Sequence, residues 1–516
     1  MERIIATNSL DPASNKGEIK NLHNMKKAFR SAAIAAVIAT FVSCSKGFDS
    51  GGIYWDSYPS TGEGYPESPE GGDKYDEIVE NDFIDTDKEA TSTFSVDCDG
   101  AAYANMRRFL RDGSLPDPNS VRIEEFLNYF TFDYPDPADG NTLSINSEIF
   151  NCPWEDSHKL LRLGIKGKTL AQRPESNFVF LVDVSGSMNS KDKLPLLKQG
   201  LKTMVEHMDP KDRISIVTYS GSVSKVLEST LASDTRTIFA AIDKLTASGS
   251  TNGADAMRMA YEEALENFIE GGNNRVVMGT DGDFNVGVTS TEGIREMVEG
   301  YAKRGIFITI CGFGRGNLND SMIETVTNAG NGTYEYIDSE DEMTKVFVND
   351  FGKFFAVACD VKAQVTFDPE RVKSYRLIGY ENRVMANEDF ENDEKDASEI
   401  GAGQTITALY ELVMADVEPM WGVPVGSFDV RYKESLGAES ILLSEKLPSV
   451  CEDKLSSNMA LASGCAAFGL VLRDSKYKGS ASFSLAEEIV CSSLDFDPFD
   501  YRAQFVDLIK IAGKLK

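Results

Sequence analysis

The sequence predicts an α/β protein in which a doubly wound domain is inserted between β-rich flanks. From Asn177 to Phe355, apolar strand-like runs alternate with segments that carry helical stripes, which indicates βαβ units and a mainly parallel sheet covered on both faces. Residues 138–170 and 356–448 read instead as strands with partial alternation. Neither flank alone has enough strands for a stable sheet, so we expect the two to pair into a β-sandwich.

Short helical segments are expected near both ends of this arrangement. Tyr103, Met106 and Leu110 form one apolar stripe, and a second stripe at i, i+3, i+4, i+7 spacing runs from Ile123 to Phe130. Near the end of the chain, "NMALASGCAAFGLVLRDS" and "DYRAQFVDLIKIAGKL" have the apolar density of packed helices. The acidic run "EDFENDEKD" lacks the glycine-centred spacing of an EF-hand and is interpreted as a solvated loop.

The composition argues against nucleic-acid binding. The chain has 516 residues, with 82 acidic and 52 basic side chains and a formal charge of −30. Such a balance repels phosphate backbones, and no concentrated basic patch is visible beyond the N-terminus to overcome it. We therefore expect no nucleic-acid partner.

The N-terminus carries an export signal. Residues 25–43 read "MKKAFRSAAIAAVIATFVS", a positive region followed by an apolar run that is too short to span a bilayer. With Cys44 next, the segment resembles a bacterial lipoprotein signal, which implies acylation of Cys44 and attachment to a membrane. Residues 1–24 precede this complete signal, and we interpret them as a gene-model extension. The alternative is an amphipathic helix buried in a cytosolic domain.

The predicted organisation follows from these patterns. A stretch rich in glycine, serine, proline and acid after the signal cannot bury enough apolar surface to order itself, which predicts a flexible acidic stalk. Removing Cys44 from the eight cysteines leaves seven, so at least one thiol stays outside any internal disulfide. The predicted divisions are 25–43 (signal), 44–90 (stalk), 91–175 (N-terminal flanking module), 176–355 (central domain), 356–450 (β-rich C-terminal module) and 451–516 (C-terminal helical segment).

Oxygen-bearing side chains gather where the central strands end. Asp183, Ser185 and Ser187 follow the first core strand in "LVDVSGS", Thr251 precedes a helix in "SGSTNGAD", and Asp281 follows another strand in "MGTDGDFN". Loops at the carboxyl ends of parallel strands form the binding crevice of such a sheet. Hard oxygen ligands suit Mg²⁺, Ca²⁺ or Mn²⁺, so the five side chains are candidate ligands of one divalent cation.

This D-x-S-x-S, Thr and Asp arrangement resembles the metal-ion-dependent adhesion site (MIDAS) of von Willebrand factor A (VWA) domains. The resemblance implies that Ser185, Ser187 and Thr251 bind the cation directly, and that Asp183 and Asp281 bind it directly or through water. It also implies Mg²⁺ as the first choice of cation, with Ca²⁺ or Mn²⁺ as alternatives, and an acidic side chain of a protein partner that completes the coordination. A lone D-x-S-x-S could instead be a turn that caps the next helix. Asp283 is interpreted as a solvated turn acid rather than a second layer of the site.

The resemblance extends across residues 90–515 to a bacterial three-part VWA lipoprotein family with N-terminal and C-terminal flanking modules. It is carried by stretches such as "FSVDCDGAAYANMRRFLRDG" before the central domain and "RLIGYENRVMANEDF" after it. The implied fold is a Rossmann-like, doubly wound VWA domain between β-rich flanks. No reaction follows from this resemblance.

Catalysis is not expected, and no catalytic residue is proposed. "GFGRGN" misses the G-x-G-x-x-G spacing of dinucleotide sites. A metal-assisted hydrolase would need a general base, yet beyond the signal the chain offers only His158 and His207, interpreted as surface or packing residues. The sequence therefore predicts a lipid-anchored protein of the cell envelope, outer membrane first, that binds a protein partner through a divalent cation. The alternatives are an envelope scaffold with a stabilising metal, or a metal-assisted hydrolase.

Overall fold

The computed structural model describes most of the chain beyond the predicted stalk. The described residues are 73–249, 253–282, 291–315, 318–395, 397–417, 422–449 and 451–516. The predicted signal, Cys44 as the predicted acylation site, Thr251 as a predicted ligand and Asp283 lie outside them, so the interpretations that rest on those residues stay predictions.

The N-terminal module contributes strands and helices to two different layers. Its elements are β1 (Ile84–Asp85), β2 (Thr91–Ser95), α1 (Ala101–Arg111), α2 (Ile123–Asn128), β3 (Leu143–Asn151) and β4 (His158–Gly167). Both predicted apolar stripes are confirmed, because Tyr103, Met106 and Leu110 of α1 and Ile123 and Phe126 of α2 are buried. They belong to a core that the C-terminal helices complete.

Residues 73–90 differ from the flexible stalk that their composition predicts. Asp73 forms an ion pair with Arg108 at 2.6 Å, the Thr86 hydroxyl donates to the Val372 carbonyl at 2.5 Å, and β1 forms a short antiparallel pair with a strand of the C-terminal module. Polar and acidic composition predicts disorder only where no folded surface offers partners. Here the partners lie far along the chain, so this part of the segment is ordered against the rest of the protein.

The central domain is a mixed sheet with helices on both faces. Its elements are β5 (Ser176–Asp183), α3 (Leu194–His207), β6 (Arg213–Tyr219), β7 (Val223–Leu231), α4 (Thr235–Lys244), α5 (Ala254–Glu266), β8 (Asn273–Thr280), α6 (Thr291–Ala302), β9 (Ile306–Phe313), α7 (Asp320–Ala329), β10 (Thr333–Ile337) and α8 (Glu340–Thr344). The strand order is β10-β9-β8-β5-β6-β7, and every neighbouring pair is parallel except β6 and β7.

Central strand β5 explains why both faces of this sheet are covered. All its residues are buried, and successive side chains point to opposite faces. Phe178 and Phe180 pack in the core that includes residues of α3 and α4, whereas Val179 and Leu181 pack in the core that includes residues of α5, α6 and α7. The nearly continuous apolar run therefore marks a doubly wound sheet, as predicted.

The C-terminal module completes a β-sandwich and ends in helices. Its elements are β11 (Ala356–Phe367), β12 (Val372–Ile378), β13 (Val384–Met385), β14 (Ile400–Gly401), β15 (Thr405–Met414), β16 (Gly426–Lys433), β17 (Ile441–Lys446), α9 (Ser457–Leu472), α10 (Phe483–Cys491) and α11 (Tyr501–Leu515). One antiparallel sheet has the order β1-β12-β15-β4-β3 and the other β13-β2-β11-β16-β17, with a shared apolar core. The predicted pairing of the two flanks is confirmed. Within the described part of the chain, no helix combines the length and the apolar character that crossing a bilayer requires.

Buried ion pairs join the three modules. Arg122, just before α2, forms ion pairs with Glu125 and with Asp320 of the central domain, the latter at 2.5 Å. Arg383 of the C-terminal module pairs with Asp97 at 2.9 Å. All five side chains are buried. We refer to these five residues as the intermodule cluster.

Candidate metal site

The carboxyl ends of β5 and β8 bring two of the predicted ligands to one edge of the sheet. The strands pair in parallel with Val182 opposite Gly279, so Asp183 ends β5 next to Thr280, and Asp281 follows directly. The Thr280 hydroxyl donates to Asp183 Oδ2 at 3.4 Å. Both carboxylates are buried, with relative exposures of 0% for Asp183 and 1% for Asp281. Two acids are thus held side by side, away from water.

The turn after β5 is fixed by its own acid and by a neighbouring loop. The Ser185 backbone N–H donates to Asp183 Oδ1 at 2.8 Å, which closes a tight turn. The Gly186 N–H donates to the Gly249 carbonyl at 3.0 Å and ties this turn to the loop that precedes α5. Thr251 belongs to that loop in sequence but lies outside the described residues, so its role as a ligand stays a prediction.

The two serine hydroxyls are hydrogen-bonded to each other at a spacing that also fits two ligands of a common cation. Ser185 Oγ and Ser187 Oγ are 2.9 Å apart. Adjacent ligands of an octahedral Mg²⁺ with metal–oxygen distances of about 2.1 Å lie about 3.0 Å from each other. Ser187 is exposed, whereas Ser185 is buried. A cation held by these hydroxyls would therefore face protein on one side and solvent on the other.

The electrostatics of Asp183 favour a positive charge at this edge. The pKa of its carboxyl is raised to about 6, chiefly by burial and also by the neighbouring charge of Asp281, while hydrogen bonds from Ser185 oppose this rise. A desolvated carboxylate beside a second one is costly without a cation, and a bound cation would favour its ionised form. The two buried carboxylates therefore favour a positive charge near them.

Lys193 supplies part of that charge and was missed by the sequence analysis. Its Nζ donates to Asp281 Oδ2 at 2.8 Å, with side-chain exposures of 10% and 0%. Lys193 immediately precedes α3, and its sequence context "NSKDKLP" also contains Lys191. Since nothing in the sequence distinguishes these two lysines, only the fold identifies which one reaches the acid.

Asp183, Ser185, Ser187 and Asp281 together form what we call the strand-end site. Their donor atoms are the hard oxygens that Mg²⁺, Ca²⁺ and Mn²⁺ prefer, and the serine spacing fits a shared coordination shell. Across the described ranges, no group of three or more His, Cys, Asp or Glu side chains has a metal-binding arrangement. A metal at this edge would therefore depend on serine oxygens, with only two carboxylates contributing charge.

Neither histidine belongs to the strand-end site. His158 on β4 has its Nδ1 2.6 Å from Glu411 on β15, inside the β-sandwich sheet. His207 is the last residue of α3, and its Nδ1 lies 2.8 Å from the Thr203 carbonyl. Both contacts are explained by packing and helix termination.

Comparisons with known proteins identify three consecutive family regions. Residues 69–162 match "von Willebrand factor", residues 177–349 match "von Willebrand factor type A domain", and residues 352–515 match "Uncharacterized protein YfbK, C-terminal". The strand-end site lies within the second region. These matches confirm the predicted three-part organisation around a central VWA domain.

Individual proteins are similar to all or part of this chain. The chain is 37% identical over 467 residues to "Uncharacterized protein YfbK" of Escherichia coli (strain K12), covering 85% of this chain and 81% of that protein. It is 30% identical over 179 residues to human inter-alpha-trypsin inhibitor heavy chain H3, covering 32% of this chain and 20% of that protein. A solved structure titled "von Willebrand factor type A from Catenulispora acidiphila" aligns with 16% identity and a TM-score of 0.44, covering 72% of this chain and 91% of that one. The extent of the first match shows that this chain belongs to the YfbK family, with a VWA domain between its two flanking modules.

Proposed function

We propose that this protein binds a protein partner through a divalent cation held at the strand-end site of its VWA domain. The observation that carries the proposal is the convergence of Asp183, Ser185, Ser187 and Asp281 at one sheet edge. VWA domains often bind divalent cations and typically mediate protein–protein binding. The chemistry that the cation supplies when bound is Lewis acidity toward an oxygen ligand.

The charge balance favours an acidic partner. Two protein carboxylates only offset the formal charge of a divalent cation, and hydroxyl ligands add no negative charge. A coordination position that the protein leaves open can therefore still accept another anionic oxygen. The exposed position of Ser187 leaves that side of the site accessible. An aspartate or glutamate side chain of a partner protein has the required charge and reach.

The direct test compares capture of envelope proteins by the wild type and Asp183→Asn, with and without EDTA. Asparagine keeps the shape of the side chain and an acceptor for the Ser185 N–H, but removes the charge that binds the cation. We expect Mg²⁺-dependent capture by the wild type and none by Asp183→Asn. The matched control is Asp243→Asn, which removes an exposed acid of α4 that pairs with Lys202.

Three outcomes separate the candidate functions. Capture that is unchanged by EDTA and by Asp183→Asn would contradict the adhesion proposal and favour a scaffold. Metal-dependent stability without metal-dependent capture would favour a scaffold with a stabilising metal. Asp183-dependent turnover of a phosphoester or peptide would favour the hydrolase, which we do not expect.

The proposal includes a lipid anchor on Cys44 that holds the protein at the cell envelope, with the outer membrane as the expected location. Support comes from the order of basic region, apolar run and cysteine in residues 25–44. Cell fractionation tests it: the wild type should sediment with membranes and Cys44→Ala should not. Wild-type protein in the soluble fraction would contradict the anchor.

A further inference from the structure

The ion pair between Lys193 and Asp281 lies inside the strand-end site. Its two charges are 2.8 Å apart and nearly inaccessible to solvent. The pair of Lys202 and Asp243 on the same domain is far more exposed and has ordinary surface character. A buried pair is different, because removing either partner leaves an uncompensated charge.

The fold provides a path for the Lys193 side chain. Gly314, just beyond β9, has a φ of +76°, and a Cβ placed on it would lie 2.0 Å from Lys193 Cε and 2.8 Å from Cγ. The Tyr336 hydroxyl donates to the Gly314 carbonyl and holds this turn in place. A side chain at position 314 would therefore occupy the space through which the lysine reaches Asp281.

The ammonium group of Lys193 uses only part of its hydrogen-bonding capacity within the described part of the chain. A lysine ammonium has three N–H donors. Within the described part of the chain, the hydrogen bond to Asp281 is the one that Lys193 Nζ makes. Lysine is also a flexible, strongly hydrated point charge, unlike an arginine fork that fixes a carboxylate with two parallel bonds.

We propose that Lys193 is an intramolecular cation that occupies the Asp281 side of the strand-end site and has to leave before a divalent cation can bind there. This inference rests on the proposed function, because it concerns the regulation of the same site. A divalent cation and an ammonium group cannot share Asp281 without strong mutual repulsion. The site would then exist in two states, one closed by Lys193 and one open to metal and partner.

Only the open state can bind the metal, so the apparent affinity is the intrinsic affinity multiplied by the fraction of protein in the open state. Lys193→Met removes the charge and keeps an unbranched apolar stem, so we expect it to bind Mn²⁺ about tenfold more tightly than the wild type. Lys191→Met is the matched control, because it removes the same charge two residues earlier from an exposed position. Its dissociation constant should stay within about twofold of the wild-type value.

The measurement is a Mn²⁺ titration of the purified full chain, with free Mn²⁺ followed by electron paramagnetic resonance. Wild-type binding with no gain in affinity for Lys193→Met over Lys191→Met would overturn the inference and leave the metal site intact. Absence of binding by all three proteins would overturn both the inference and the proposed function. Asp183→Asn identifies the site, since its binding should be lost in the same titration.

A second measurement needs no substitution and keeps the test open if Lys193→Met fails to fold. Acetylation of lysines in the wild-type protein, quantified by mass spectrometry, reports the accessibility of each amine. We expect Lys193 to be protected in EDTA and to react faster in saturating Mg²⁺, with the rate at Lys191 unchanged. A Lys193 rate that is unaffected or slowed by Mg²⁺ would overturn the inference.

Discussion

The strand-end site and the intermodule cluster are both buried groups of charged side chains, but their positively charged residues differ. In the intermodule cluster, the carboxylates of Asp97, Glu125 and Asp320 pair with arginines. At the strand-end site, Asp183 accepts hydrogen bonds from the Ser185 N–H and the Thr280 hydroxyl, and Asp281 pairs with Lys193. Arginine is always charged and presents its donors in a rigid fork, whereas lysine is flexible.

This difference separates a structural role from a binding role. Both arginines of the cluster come from flanking modules. Arg122 joins the N-terminal module to Asp320 of the central domain, and Arg383 joins the C-terminal module to Asp97 of the N-terminal module. These pairs fix the three modules against one another. The strand-end site receives the ammonium of Lys193 from the same domain, one residue before α3. Buried acids with permanent arginine partners are expected to stabilise the fold, and buried acids paired with a flexible lysine are expected to exchange it for another cation.

Arg122→Met should have the largest effect on stability. It leaves Glu125 and Asp320 buried without their guanidinium partner, so we expect a loss of about 3–5 kcal/mol in the free energy of unfolding, measured with urea. Arg295→Met on α6 is the matched control, because its ion pairs are exposed, and it should leave the stability unchanged. Equal stability of the two variants would contradict the structural role of the cluster.

Asp183→Asn should abolish the stabilisation that metal gives to the wild type. At a Mg²⁺ concentration of about 100 times the dissociation constant, the wild type should gain about 2.7 kcal/mol of unfolding free energy, and the variant should gain none. In EDTA the variant should be at least as stable, because burial of the Asp183 charge is costly. Equal stabilisation of both proteins by Mg²⁺ would show that the cation binds elsewhere.

Glu124→Gln should change how stability depends on pH. Burial, and then the charge of Glu381, raises the pKa of the Glu124 carboxyl to about 7, from an ordinary value near 4.5. The folded state therefore holds this proton more tightly than the unfolded state, and the group destabilises the wild type progressively as pH rises from about 4.5 to 7. Glutamine mimics the protonated form, so the variant should be about 3 kcal/mol more stable than the wild type at pH 8 and nearly equal to it in stability at pH 4.5. A difference that is independent of pH would contradict this account.

The parts of the fold that follow local patterns could be predicted from the sequence. The buried run that ends at Asp183 predicted a core strand, and the following "SGS" predicted a polar turn at its carboxyl end. Because parallel strands end at a common edge, the proximity of Asp183 and Asp281 followed from topology alone. The helical stripes of α1 and α2 were equally local.

The parts that depend on distant partners could not be predicted. β1 pairs with β12 nearly 300 residues later, so an acidic segment that looked like a tether is ordered. Glu125 lies on a short helix, where an acidic residue is expected to be exposed. It is instead buried together with its partner Arg122. The contact of Lys193 with Asp281 joins residues 88 positions apart. Such contacts have no periodic signature.

The most direct test of the account is diffraction from crystals of the full chain grown with Mn²⁺, using the anomalous signal of manganese. We predict a single strong peak at the strand-end site, about 2.1–2.3 Å from Ser185 Oγ and Ser187 Oγ, with Lys193 Nζ withdrawn from Asp281. A structure without a peak there, with Lys193 still bound to Asp281 at saturating Mn²⁺, would contradict the central claim that this edge of the sheet binds a divalent cation.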